Sequence, residues 1–162
     1  MNELISLLGP GLTLLGGALA ALLPGIGSAK GVGRVGEVAA GVLTENPSLF
    51  GKILILQALP GTQGIYGLLS WFMIMNSSGL LAGNTALSWQ TGLAYFMASL
   101  PIAFVGMFSA DYQGRVSEAG VALVAKRPGE QSKAIVLAAM VETYAILALL
   151  ATVLSVLSIK PV

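Results

Sequence analysis

The sequence predicts an all-α membrane protein, with four transmembrane helices formed by two tandem duplicated helical hairpins that assemble into a ring. Three observations predict it. Asp, Glu, Lys and Arg make up only 9 % of the 162 residues, against 56 % hydrophobic ones, and the mean hydropathy is +0.86. Soluble domains carry roughly 25 % charged residues, and eight basic and seven acidic side chains cannot coat a globule of this size. Long stretches hold no charge at all, Leu4 to Ala29 and Ile53 to Ala110 among them. Finally, the chain aligns with itself at a shift of 81 residues.

Each helix follows from where the charges are missing. A first helix of roughly 5–43 runs past Ala29 into the segment bearing Lys30, Arg34 and Glu37. The uncharged run from Ile53 to Ala110 is too long for one crossing of a ~30 Å core but suits two with a turn. That turn reads as the Asn/Ser/Gly cluster from Asn76-Ser77-Ser78-Gly79 to Gly83-Asn84. It leaves a second helix near 51–75 and a third near 88–124. A fourth lies near 132–158, and from Ala134 to Ile159 it holds a single charge, Glu142. No strict two-residue alternation supports a barrel.

The repeat organises these helices. The shift pairs Ser28-Ala29 with Ser109-Ala110, Gly33-Arg34-Val35 with Gly114-Arg115-Val116, Glu37 with Glu118, Pro47 with Pro128 and Lys52 with Lys133. Over residues 28–69 there are 14 identities in 42 positions without a gap, where chance gives only a few. Residues 1–80 therefore form a first hairpin and 81–162 a second, in parallel orientation within one membrane domain. Such a unit suits a ring in which each copy packs beside the next. Seven of the eight basic residues flank the two charged turns and only Lys160 lies on the far side. The positive-inside rule then puts those turns in the cytoplasm and both termini outside. Met1-Asn2-Glu3 has no basic n-region, so the first helix is expected to stay in the mature protein.

Composition also excludes chemistries. There is no Cys and no His, which removes disulfides, thiolate catalysis, Ser-His triads and imidazole metal ligands. A net charge of +1 gives no reason to expect a nucleic-acid partner. No Walker motif is present, so any ATP chemistry belongs to other chains. Gly31-Val32-Gly33-Arg34-Val35-Gly36 spells G-x-G-x-x-G, but it follows a membrane helix rather than a strand, which argues against dinucleotide binding.

The two halves differ at their most informative positions. Glu142 aligns with Gly61 and Gln113 with Val32, so the duplicated hairpins share one carboxylate. An acid at this depth costs a few kcal/mol on insertion scales and marks a functional site by default. Glu142 lies 14 residues after Pro128, Gln113 lies 15 before it, and Gly61, Thr62 and Gln63 follow Pro47 by 14 to 16. At ~1.5 Å per residue all reach about the same level, roughly 21–23 Å above the charged turns. Tyr66 shares the face of Thr62 and Gln63. Pro60 frees backbone carbonyls near Leu56 to Leu59, which must be re-satisfied in a bilayer. One carboxylate, two amides, a hydroxyl and a carbonyl form a hard-oxygen set suited to Na⁺. A proton needs only the carboxyl and one partner. Taken singly, Thr62, Gln63 and Gln113 read as ordinary interhelical hydrogen-bonding residues.

The segments Leu59-Pro60-Gly61-Thr62-Gln63-Gly64-Ile65-Tyr66-Gly67, Tyr112-Gln113-Gly114-Arg115-Val116 and Val141-Glu142-Thr143-Tyr144-Ala145-Ile146-Leu147 resemble the proteolipid subunits of V-type rotary ATPases. Within them, the likeness is to the subunit K, rotor-ring proteolipids of bacterial sodium-pumping enzymes, and it covers essentially the whole chain. The resemblance implies a rotor-ring subunit, itself non-catalytic, in the cell membrane. It implies Na⁺ as the transported ion, with H⁺ as the alternative, and no organic cofactor. Leu59 through its carbonyl, Thr62, Gln63, Gln113 and Glu142 would hold the ion, and Tyr66 would lock the glutamate by a hydrogen bond. The implied partners are identical subunits in a closed ring, surrounding lipid, a central-stalk subunit and a stator membrane subunit, for which an Arg is expected. One local departure is Ala110-Asp111-Tyr112, where smaller uncharged residues are the expectation; Asp111 is read as lying near the site's depth on another face. A small proton-coupled exporter and a purely structural pore are the other classes. The first predicts no 81-residue duplication, and the second leaves the Gln/Thr/Glu layer unexplained. The ten glycines of the first helix suit close backbone approach at the inner wall of a ring, with Gly16 and Ala20 expected to face neighbouring copies.

Overall fold

The computed structural model describes residues 2–160. Among these residues, five α-helices make four spans long and apolar enough to cross a membrane. They are α1 (Asn2–Glu45), α2 (Phe50–Ala58), α3 (Thr62–Ser77), α4 (Trp89–Lys126) and α5 (Gln131–Ser158). The second span is α2 and α3 in series, interrupted by a 3₁₀ turn at Leu59–Gly61. Pro60 causes the break, because it has no N–H to donate and its ring displaces the preceding turn. The expected helix limits agree with these spans to within a few residues.

The turns behave as their residues dictate. Gly79 and Gly83 adopt left-handed φ of 77° and 82° around a short 3₁₀ turn, Leu80–Ala82, and Ser88 then caps α4 by accepting from the Thr91 N–H. Only glycine takes such angles without steric cost. On the charged side the two halves repeat each other's geometry. Asn46 (φ −139°, ψ 84°) and Arg127 (φ −139°, ψ 79°) are repeat-equivalent, and each precedes a Pro-led 3₁₀ turn. Lys52 Nζ donates to the Pro128 carbonyl at 2.7 Å and Gln131 Nε2 to the Lys52 carbonyl at 3.3 Å, tying the two charged turns together.

The bundle's central contact is α1 against α4, with α3 and α5 outside them. Glycine makes that contact possible. A Cβ on Gly114 would stand 2.5 Å from Gly31 Cα, and one on Gly16 would stand 2.7 Å from Phe96 Cα. Because contacts advance together along both helices, from Gly16–Phe96 to Gly31–Gly114, α1 and α4 run parallel. In lipid, where burying apolar surface gives helices no advantage over lipid tails, such backbone approach is a principal source of association.

One expectation fails here. Gly16 and Ala20 lie inside the chain's own helix contacts, Ala20 with no exposed surface and against Gly67. They do not face other copies. The open glycines of α1 are Gly11, Gly25, Gly33 and Gly41. Asp111 is also more specifically placed than its position suggests. It pairs with Arg34 at 3.2 Å and with Arg115 at 2.9 Å.

Proline irregularities are repaired by hydroxyls from other helices. Ser28 Oγ of α1 accepts from the Gly64 N–H at 2.8 Å, just past Pro60. Thr152 Oγ1 of α5 accepts from the Ile102 N–H at 3.3 Å, just past Pro101. Backbone groups in a bilayer require such internal partners.

This packing sets a direct test. Gly114→Leu should force α1 and α4 apart and lower thermal stability in detergent by about 1–3 kcal/mol or more, the usual cost of overpacking. Gly129→Ala, with nothing within 4 Å, should leave the melting temperature unchanged. Equal melting temperatures for both variants would show that the α1–α4 approach does not hold the bundle.

Candidate functional site

All six residues singled out in the sequence converge at one level of the bundle. The break at Leu59–Gly61 presents Thr62, Gln63 and Tyr66 from the start of α3, while α4 supplies Gln113 and α5 supplies Glu142. A continuous hydrogen-bond chain joins them. Tyr66 Oη donates to Glu142 Oε1 at 2.6 Å. Gln113 Nε2 donates to Glu142 Oε2 at 3.3 Å. Gln63 Nε2 donates to Gln113 Oε1 at 2.6 Å. The Thr62 hydroxyl lies 3.0 Å from the Leu59 carbonyl and 3.3 Å from Gln63 Oε1.

Burial divides the cluster in two. Gln63 and Gln113 are completely enclosed, whereas Thr62, Tyr66 and Glu142 keep partial exposure toward the outer surface of the bundle. The amides therefore form a fixed inner wall, and the carboxylate is the member with a route outward. Carboxylates that accept two hydrogen bonds, one from a hydroxyl and one from an amide, are held in a single orientation. Each bond to a charged acceptor contributes about 1.5–3 kcal/mol.

Ser109 joins the cluster without having been singled out in the sequence. Its Oγ accepts from Gln63 Nε2 at 3.1 Å and donates to the Val141 carbonyl at 3.0 Å, linking the inner wall to α5 beside Glu142. The repeat carries a signal for it, since Ser109 is the partner of Ser28. Asp111 stays outside the cluster. Its ion pairs with Arg34 and Arg115 involve none of the six side chains, so this acid is engaged away from Glu142.

The donor set constrains what the site can hold. Glu142 is its single formal charge, and the other oxygens are neutral amide, hydroxyl and carbonyl groups. Among the described residues no group of three Asp, Glu, His or Cys side chains could hold a metal ion. Divalent cations favour several carboxylates or retained waters. One negative charge among neutral oxygens instead balances one monovalent cation or one proton.

Comparison with known proteins agrees with the repeat. A family model for the ATP synthase C-subunit matches residues 15–74 and, 81 positions on, residues 96–155. The V-type sodium ATPase subunit K of Enterococcus hirae is 50 % identical over 141 residues, 87 % of each chain. The A-type ATP synthase subunit K of Methanocaldococcus jannaschii is 38 % identical over 140 residues, covering 86 % of this chain and 59 % of that protein.

A hydrophobic carbodiimide should label Glu142, the carboxylate reachable from the apolar layer. Tyr66→Phe removes one of the two bonds restraining it, so labelling should accelerate roughly tenfold or more, in line with the ~1.5–3 kcal/mol of a charged hydrogen bond. Peptide mapping that finds the adduct on Glu37 or Glu118, or an unchanged rate in Tyr66→Phe, would contradict this geometry.

Proposed function

Since the chain belongs to the ATP synthase C-subunit family of ion-translocating membrane proteolipids, we propose that it is the rotor-ring subunit of a V-type ATPase that carries one Na⁺ per chain. Its two hairpins, residues 1–80 and 81–162, share one binding site. Leu59 through its carbonyl, Thr62, Gln63, Gln113 and Glu142 hold the ion, and Tyr66 locks the carboxylate. The observation that supports this most is the unbroken chain Tyr66–Glu142–Gln113–Gln63–Thr62, in which one carboxylate is bonded only to neutral hydroxyl and amide groups. The name of the half-identical relative, a sodium ATPase subunit, agrees with Na⁺ as cargo.

The residues divide the work of transport. Glu142 neutralises the ion, so a desolvated Na⁺ crosses the apolar layer as part of a neutral pair rather than as a bare charge. The buried amides of Gln63 and Gln113 replace lost hydration oxygens and, being rigidly held, favour one ion size. Tyr66 closes the site by holding Glu142 inward. Opening requires Glu142 to turn toward the outer surface, where a cation on a stator membrane subunit, expected to be an Arg, competes for the carboxylate and releases the ion. ATP hydrolysis on other subunits, transmitted by a central stalk, drives the ring past that stator. Each Na⁺ moved against 100 mV then stores ~2.3 kcal/mol. A proton is the competing cargo, for which the amide and hydroxyl oxygens beyond the carboxyl would be superfluous. The charged turns face the cytoplasm and both termini the outside, as the basic residues demand.

Na⁺ should slow carbodiimide labelling of Glu142 at neutral pH, because the reagent attacks the protonated acid. Gln63→Ala and Gln113→Ala should each raise the Na⁺ concentration needed for protection by roughly five- to 150-fold, the equivalent of about 1–3 kcal/mol for a lost buried bond. Labelling governed by pH alone would identify a proton site. Unchanged Na⁺ dependence in both variants would reduce the amides to helix-packing roles.

A further inference from the structure

An ion pair on the far side of α4 bears on the site without touching it. An acid two residues from Gln113 is costly at this depth, and the cation site makes no direct use of Asp111. Its side chain is only 22 % exposed and lies between two guanidinium groups. Arg34 Nη1 of α1 stands 3.2 Å from Oδ1. Arg115, one turn on along α4, brings Nη2 to 2.9 Å and Nε to 3.1 Å from Oδ2. Arg34 also donates to the Asp111 backbone carbonyl at 3.5 Å, and its Nε lies 3.9 Å from Glu118 Oε2.

These contacts enclose the turn of α4 that presents Gln113. At ~100° per residue, Asp111 and Arg115 both fall on the face opposite Gln113. Their i,i+4 pair therefore spans that turn from behind, and Arg34 fastens it to α1. Beside the pair the backbones are in contact, since a Cβ on Gly31 would stand 2.6 Å from the Ala110 carbonyl oxygen. The Gln113 side chain has little freedom of its own. It is fully enclosed, and its Oε1 accepts from Gln63 Nε2 at 2.6 Å. A shift of the turn must therefore carry the amide with it. The Gln113 bond to Glu142 is the longer of the carboxylate's two, 3.3 Å against 2.6 Å, so it is the first that such a shift would break.

The duplication supplies an internal comparison. In the first half, the positions of Asp111, Gln113 and Arg115 are Lys30, Val32 and Arg34. There Lys30 and Arg34 carry like charges four residues apart, which repel instead of stapling a turn, and Val32 between them offers no ligand. Lys30 is exposed and has no ion-pair partner among the described residues. The opposite-charge staple is present in the half that presents the amide and absent from the half that does not.

We propose that Arg34, Asp111 and Arg115 are positioning residues for the cation site: they fix the α4 turn that holds the Gln113 amide against Glu142, and so set Na⁺ affinity and the preference for Na⁺ over Li⁺. This rests on the reading of the cluster as a Na⁺ site. It differs in sign from a plain field effect. Replacing Arg34 with a neutral side chain removes a positive charge, which by Coulomb attraction alone strengthens cation binding. Loss of position weakens it.

Three variants of the full-length protein in mild detergent separate these effects, with carbodiimide labelling of Glu142 as the readout. In Arg34→Gln the Na⁺ concentration needed for protection should rise roughly tenfold, the lower end of what losing an outer-shell partner costs a metal site. The ratio of the Li⁺ to the Na⁺ requirement should move toward one. Labelling without Na⁺ should also accelerate, because Gln113 no longer restrains the acid. Arg34→Lys, which keeps a cation opposite Asp111, should stay near the wild-type Na⁺ requirement. Lys30→Gln, which removes a charge one turn away without touching Asp111, should not raise it. Tighter protection in Arg34→Gln, or an equal rise in Lys30→Gln, would reduce the pair to a field effect and overturn the proposal. So would a lower melting temperature in Arg34→Gln with its Na⁺ requirement and Li⁺ ratio unchanged, the mark of a merely structural role. If Arg34→Gln accelerates Na⁺-free labelling but Na⁺ protects neither it nor the wild type, the positioning of Gln113 stands and the sodium reading fails. If Na⁺ protects both alike, the positioning alone fails.

Discussion

A single negative charge in the apolar middle of a four-span bundle dictates the arrangement around it. Glu142 is the one acid in its span, and leaving it unpaired in hydrocarbon would cost several kcal/mol. Each feature of the site offsets that cost. Tyr66 and Gln113 donate to its two oxygens, and Gln63 holds the Gln113 amide while being held in turn by Ser109 and Thr62. A cation bound among the same neutral oxygens would complete the neutralisation. The duplicate position is Gly61, so the cluster carries one formal charge.

The backbone devices serve that constraint. Pro60 interrupts the second span at the level of the acid, where the Leu59 carbonyl accepts from both the backbone N–H and the hydroxyl of Thr62. The glycines of α1 let α4 approach to backbone contact, and that approach brings the Gln113 amide within reach of Gln63. Duplication followed by divergence then makes functional economy possible: two hairpins share one scaffold geometry, but one seam carries the polar layer and the other is apolar.

Much of this is legible in the sequence because membrane insertion simplifies the physics. Charges mark span ends, an 81-residue identity marks the repeat, and counting ~1.5 Å per residue from Pro47 and Pro128 puts Thr62, Gln63, Gln113 and Glu142 at one depth. The same counting cannot give azimuth. Gly16 and Ala20 therefore read as contacts between copies although they face α4 and α3 of their own chain. Which glycine stripe of α1 faces inward depends on the packing of all four spans, and no single-helix pattern contains it. Ser109 escapes notice for a related reason. A serine in a membrane helix ordinarily bonds its own preceding turn, and only the proximity of Gln63 and the Val141 carbonyl gives this one another use. Asp111 resists reading because one of its two partners, Arg34, is 77 positions distant in sequence.

The most direct test of the central claim is the stoichiometry of Na⁺ bound to the purified, detergent-solubilised protein, measured by equilibrium binding of radioactive sodium. One Glu142 shared by two hairpins predicts one ion per chain, with none retained by Glu142→Gln. Two ions per chain, or binding that survives Glu142→Gln, would contradict it.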